Sequence, residues 1–193
     1  MASFDLDGTI GAYELGTLVS YILFGVTTTQ VYIYYSRFPN DPRGLRYMVA
    51  FIWSCEMVHV VLVGCTLYQI TVADYGHPER LILTPRPLAM AVMISAFVGT
   101  VVQVFFAFRI YRLSKSLYIP WLSWILSFSL LLGAIAVCFY GLRIETIPEF
   151  EGQFAWLLNS LWTGGAVNDL LIAGTLVYWL KKAENLSANR PSC

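Results

Sequence analysis

The sequence predicts an all-α protein, a polytopic transmembrane helix bundle with five spanning helices. Apolar residues make up 58% of the 193 residues, charged residues only 12%, and the mean hydropathy is +0.64. This composition is too apolar for a soluble domain of this length. Five separate segments also reach the length of about 20 mostly apolar residues that a helix needs to cross a bilayer.

The five spans are predicted to follow one another along a transmembrane domain of residues 13–182. The connections between them are polar and too short to hold a soluble domain. Residues 1–12 are predicted to form an outer N-terminus, and residues 183–193 a cytosolic tail. The spans cover roughly residues 13–35, 47–70, 87–110, 119–142 and 154–180.

The distribution of Lys and Arg predicts the orientation of the chain. Nine of the twelve lie in the first and third connections and in the C-terminal tail, whereas three lie in the second and fourth connections. Because basic residues accumulate on the cytosolic side, we expect the N-terminus outside or in a lumen and the C-terminus in the cytosol. The single N-glycosylation sequon, at Asn185, then lies in the cytosol, and we predict that it is unused.

Polar residues interrupt three of the apolar spans near their middles. Glu56 and His59 are three residues apart, which places them on one face of a helix, about 60° apart around the axis and about 4.5 Å along it. Asn168 and Asp169 in the fifth span lie at nearly the same predicted depth, and Gln103 in the third span lies about 7 Å toward the cytosol. We predict that these five residues form one buried polar layer, provided that the three helices turn their polar faces toward one another.

This layer has two interpretations. A carboxyl group at the centre of a spanning helix costs roughly 2.5 to 3.5 kcal/mol to insert, which makes an intramembrane carboxylate a functional hypothesis. A proton relay, a general acid for an isoprenoid-like substrate and an anchor for a cationic ligand would each use such a group. Alternatively, the five side chains form an interhelical hydrogen-bond network that fixes packing, with contacts of about 0.6 kcal/mol on average. The sequence leaves both interpretations open.

Small residues on two spans predict faces for helix contacts. In the third span they recur every four residues and are joined on that line by Gln103, which is therefore expected to face a neighbouring helix rather than lipid. A shorter face of this kind surrounds Asp169 in the fifth span. Such faces would serve a homo- or hetero-oligomer. The residues are Ala91, Ser95, Gly99 and Ala107 in the third span, and Gly165, Ala166 and Ala173 in the fifth.

We predict no cofactor, no metal site and no nucleic-acid partner. The formal net charge is zero, and the chain contains no Walker loop, Gly-x-Ser-x-Gly, His-Glu-x-x-His or Cys-x-x-Cys motif. Asp74, His77 and Glu79 share the second connection, but a solvated loop lacks the fixed geometry of a metal site. The lipid bilayer is the expected partner, and a small hydrophobic ligand is left open.

Four stretches of the chain, in order from about residue 16 to residue 182, resemble a large family of multi-pass membrane proteins of basidiomycete fungi that is known as a domain of unknown function. They are GTLVSYILFGVTTTQVYIYYSRFPND, WSCEMVHVVLVGCTLYQITVADYGHP, VQVFFAFRIYRLS and NDLLIAGTLVYWL. The resemblance implies an acidic residue three before a histidine in the second helix, matched by Glu56 and His59, although Asp is more usual than Glu there. It also implies a Gln, aromatics and an Arg at the end of the third helix, matched by Gln103, Phe105, Phe106 and Arg109, and an Asp in the fifth, matched by Asp169.

The resemblance implies seven helices, whereas this chain has five, so we expect a short form of the family. It implies no activity, and the sequence leaves open whether the chain is an enzyme. The first expectation is a sensor, a scaffold or a binder of a small hydrophobic molecule. The alternative is a membrane-embedded enzyme or transport accessory in fungal secondary metabolism, with Glu56 or Asp169 as its general acid.

Overall fold

The computed structural model describes residues 6–75, 77, 80, 83–144 and 147–188. Within these ranges every long regular element is a helix, as the sequence predicted. The α-helices are numbered α1 to α5 in chain order, and α2 continues into a π-helical turn, Gln69–Ala73. The five α-helices are α1 (Leu6–Arg37), α2 (Arg43–Tyr68), α3 (Arg86–Ser114), α4 (Tyr118–Arg143) and α5 (Ile147–Ala188).

Four of the described helices are long and apolar enough to cross a membrane: Ile10–Arg37, Arg43–Ala73, Arg86–Ser114 and Tyr118–Arg143. These four agree with the first four predicted spans. Helix α5 is not among them, because polar and tryptophan side chains interrupt its apolar run and lower its hydropathy. A fifth span therefore stays a prediction.

Each helix extends beyond the apolar segment that predicted it, if α2 is taken together with its π-helical turn, and the difference is largest for α5. This helix has 42 residues, whereas residues 154–180 were predicted to span. Hydropathy marks only the part of a helix that suits lipid, and backbone hydrogen bonding continues into the polar flanks. At 1.5 Å per residue α5 is about 63 Å long, roughly twice the hydrocarbon thickness. Asn185 lies exposed in its last turns.

The described chain divides into two compact units, and each is described by itself. The first contains residues 1–98 and 138–150. Its centre is an antiparallel hairpin of α1 and α2. The Trp53 indole N–H donates to Thr28 Oγ1 at 3.0 Å, and the Tyr13 hydroxyl donates to the carbonyl oxygen of Val63 at 3.3 Å. Trp53 also stacks on Phe24, with ring centroids 6.2 Å apart.

The hairpin is closed at its turn by aromatic and basic side chains. The Arg46 guanidinium lies 5.2 Å from the ring centroid of Tyr35, and it donates to the carbonyl oxygen of Pro39 at 3.2 Å. The Tyr34 hydroxyl donates to Asp41 Oδ2 at 3.0 Å. Cation–π contacts of this kind suit a membrane interface, where an amphipathic ring sits beside a basic residue.

The second unit contains residues 99–137 and 151–193, and in it α4 and α5 run antiparallel in close contact. A Cβ built on Gly133 would lie 2.4 Å from Leu161 Cδ2, and one built on Gly164 would lie 3.2 Å from Leu130 Cδ2. Two glycines, one on each helix, therefore make room for a leucine of the other helix. This is the close approach that small residues permit between membrane helices.

A tight turn joins α3 to α4 in the second unit. Lys115 follows the last residue of α3 with φ of 54°, a left-handed conformation in which glycine is usual. Its N–H donates to the carbonyl oxygen of Tyr111 at 2.9 Å, and the Ser116 N–H donates to Ser114 Oγ at 3.1 Å. These bonds satisfy backbone groups at the helix end and reverse the chain.

The small-residue line predicted along α3 is not one continuous packing face. Ala91 and Ala107 are buried, but Ser95 is exposed. A Cβ built on Gly99 would meet nothing within 4 Å. The four-residue spacing gives the positions of the small residues along the helix. Whether another helix covers them depends on packing, which the spacing alone does not specify.

Candidate functional site

A cluster of polar side chains in the second unit joins three helices. Its members are Gln103 on α3, Ser123 and Ser127 on α4, and Asn168 on α5. Ser123 Oγ donates to Asn168 Oδ1 at 2.9 Å. Asn168 Nδ2 donates to Gln103 Oε1 at 3.1 Å and to Ser127 Oγ at 3.0 Å. We call these four residues the amide–hydroxyl cluster.

Every hydrogen-bonding group of Asn168 is used. Its side chain is fully buried, its amide oxygen accepts one bond, and its two amide hydrogens are donated to two different helices. Asn168 therefore fastens α5 to both α3 and α4. A buried amide whose groups are all hydrogen-bonded stabilises one arrangement of the helices, because any other arrangement leaves its donors without acceptors.

The two serines complete the cluster from one face of α4. Four residues separate them, which places them one turn apart on a helix. Ser127 Oγ lies 2.9 Å from Gln103 Oε1 and 2.8 Å from the carbonyl oxygen of Ser123, so its hydroxyl hydrogen has two acceptors. Both serines are fully buried. Neither serine was among the predicted site residues; the four-residue spacing of two hydroxyls in an apolar helix was the available signal.

Asp169 is attached to the cluster but lies outside it. Gln103 Nε2 donates to Asp169 Oδ1 at 2.8 Å. The aspartate is exposed, in contrast to the fully buried Asn168 beside it. Consecutive residues point about 100° apart around a helix, so Asn168 and Asp169 occupy different faces of α5. Gln103 thus contacts both Asn168 and Asp169, and the carboxylate lies at the edge of the cluster.

Glu56 and His59 lie in the first unit, on α2. Both are half-buried, and they share one side of the helix as their spacing predicted. Among the residues that the structure describes, no hydrogen bond or ion pair joins Glu56 to His59. A single layer of all five predicted residues stays a prediction.

The acidic loop after α2 uses its aspartate in an ion pair. Asp74 Oδ1 lies 3.8 Å from Arg80 Nη1, and the aspartate side chain is 14% exposed. Glu79 lies outside the described residues, and within them no group of three His, Cys, Asp or Glu side chains is placed to hold a metal ion.

The amide–hydroxyl cluster has the chemistry of a structural contact. A serine becomes a nucleophile when a neighbouring base takes its proton. Here the Ser123 hydroxyl donates to an amide oxygen, and the Ser127 hydroxyl is directed to an amide and a backbone oxygen. Amide oxygens do not accept a proton near neutral pH, so these hydroxyls are not activated. Asp169 is an exposed carboxylate at the edge of the cluster.

Comparison with known proteins adds no identity. No family model, curated protein or solved structure matches the chain.

Proposed function

We propose that the protein is a non-catalytic scaffold of a membrane, within the class of sensors, scaffolds and binders of small hydrophobic molecules that its sequence predicts. The hydrogen bonds of Asn168 carry this proposal. Both amide hydrogens and one lone pair of the amide oxygen are bound to other helices, so this buried side chain holds helices together and offers no donor to a substrate. The helices it joins then form a rigid support.

The architecture that we propose for this scaffold has five spans. Helix α5 crosses the bilayer as the fifth, with the N-terminus of the chain outside or in a lumen and the C-terminus in the cytosol. Two observations support a span: α5 is long enough, and it packs closely on α4, itself apolar enough to cross. The excess of Lys and Arg in the odd connections and tail supports the orientation.

The alternative, a membrane enzyme or transport accessory in fungal secondary metabolism, is favoured by one observation. Glu56 and His59 do not pair with each other, which leaves a carboxyl and an imidazole available for proton transfer. In this alternative Glu56 or Asp169 acts as general acid, and loss of the carboxyl that has this role removes the activity.

An experiment with Glu56→Gln and Asp169→Asn separates the two functions. Membranes that contain the wild type, either variant or no protein are incubated with a lipid extract of the host cells and compared by mass spectrometry. For a scaffold we expect identical metabolite profiles and thermal stability changed by less than about 1 kcal/mol, because each amide keeps an oxygen acceptor. A product that requires the wild type and disappears in an equally stable variant would refute the scaffold and support the alternative.

A further inference from the structure

Helix α5 has two faces, and the structure covers only one of them. Asn168 and Ile172 on the covered face are buried. On the other face, residues spaced by three, four or seven positions lie within about 60° of arc and are all exposed. We call this the α5 outer face; it consists of Trp162, Ala166, Asp169, Ala173 and Leu180.

Asp169 lies at the middle of the α5 outer face, between small residues. Trp162, which is 80% exposed, and Leu180 lie toward its two ends, while Ala166 and Ala173 flank the carboxylate one turn away on each side. Small side chains let a second helix approach the backbone closely. The carboxylate is therefore within reach of a side chain from a helix that docks on this face.

The carboxylate is incompletely satisfied. An ionised carboxylate accepts about four hydrogen bonds, and from the described residues Asp169 receives one, from Gln103 Nε2. On a spanning α5, an exposed carboxylate would face lipid, where charged side chains are rare and almost always paired. The group that would pair with the Asp169 carboxylate is a cationic hydrogen-bond donor at the same depth in the membrane.

From this complementarity we infer that the α5 outer face docks a transmembrane helix of another protein that carries one lysine or arginine near its middle. The inference rests on the proposed function, because it requires α5 to span. A second copy is a poorer occupant, since two-fold packing of this face would bring Asp169 against Asp169. In the described helices the Lys and Arg residues lie near the ends, and Lys181 is roughly 18 Å along α5 from Asp169.

A model peptide tests the inference. The full-length protein is reconstituted in phosphatidylcholine vesicles with a tryptophan-flanked polyleucine peptide that carries one central lysine, and binding is measured by energy transfer between labels. The same peptide with leucine at the centre is the reference. We expect the lysine peptide to bind the wild type about tenfold more tightly than the leucine peptide, as one ion pair of moderate strength gives. Asp169→Asn should abolish the difference, and Glu14→Gln, which removes an exposed carboxylate from α1, should preserve it.

The outcomes distinguish this inference from the proposed function. Equal binding of the two peptides to a wild type whose α5 spans the vesicle membrane would overturn the inference alone. An α5 whose two ends label from the same side of the membrane would overturn the proposed architecture. Two labelled copies of the protein could also show energy transfer that Asp169→Asn abolishes. This result would overturn the choice of partner, because it would show that a second copy covers the α5 outer face. Unchanged thermal stability of Asp169→Asn confirms that the variant is folded.

Discussion

Asn168→Leu is expected to lower the free energy of unfolding by about 2 kcal/mol. The substitution is close in volume, but it removes three hydrogen bonds: Ser123 Oγ loses its acceptor, and Gln103 Oε1 and Ser127 Oγ each lose one donor. Hydrogen bonds between membrane helices average about 0.6 kcal/mol each, so three give a loss of this size. Denaturation in mixed detergent micelles measures it.

Asn159→Leu is the matched control for this prediction. Asn159 lies on the same helix, and it is exposed. The same change of side chain should leave the free energy of unfolding within about 0.5 kcal/mol of the wild type. If the two variants were equally stable, Asn168 would not stabilise the packing of α5 on α3 and α4, and the structural interpretation of the cluster would be wrong.

Gly133→Leu is expected to be the other strongly destabilising change, by about 2 to 3 kcal/mol. Leu161 of α5 occupies the space above Gly133, and even a Cβ there would lie 2.4 Å from Leu161 Cδ2 and 3.3 Å from its Cγ. The two leucines cannot share this space unless α4 and α5 separate or a side chain adopts a poor rotamer, and overpacking of this kind costs about 1 to 3 kcal/mol or more. Thermal unfolding of the purified variant measures the loss.

A substitution at a second glycine of the unit distinguishes the effect of packing on stability from the effect of helix propensity. A Cβ built on Gly174 of α5 would meet nothing within 4 Å. Gly174→Leu should therefore be neutral or stabilise by up to about 1 kcal/mol, since leucine favours a helix over glycine. Destabilisation of Gly174→Leu to the same extent as Gly133→Leu would show that the effect does not come from contact between α4 and α5.

The sequence predicted the positions of the helices well because hydropathy reports directly on length in lipid. In the structure Gln103 contacts both Asn168 and Asp169, whereas a single layer of all five predicted residues stays a prediction. Depth is the coordinate that a spanning helix encodes in its sequence. The limits of the apolar runs then gave the four helices that suit a membrane.

Rotation about the helix axis is the coordinate that could not be predicted. In a soluble protein the apolar stripe of a helix shows which side faces the core. In a membrane, lipid and the interior of the helix bundle are both apolar, so an apolar stripe no longer shows which side of the helix is buried. The sequence therefore did not show that Asn168 is buried while Asp169, its neighbour, is exposed. For the same reason it did not select Ser123 and Ser127, whose hydroxyls are informative only when the helix they face is known.

The decisive test of the proposed architecture is whether α5 crosses the membrane. The role of α5 in a membrane scaffold and the docking of a partner helix on its outer face both depend on this crossing. Single cysteines are introduced near its two ends as Gly152→Cys and Asn185→Cys, both at exposed positions, in a chain whose four native cysteines are replaced by alanine. We predict that in sealed membranes an impermeant maleimide labels Gly152→Cys only from the outer or lumenal side and Asn185→Cys only from the cytosolic side. Labelling of both cysteines from the same side would contradict the five-span architecture.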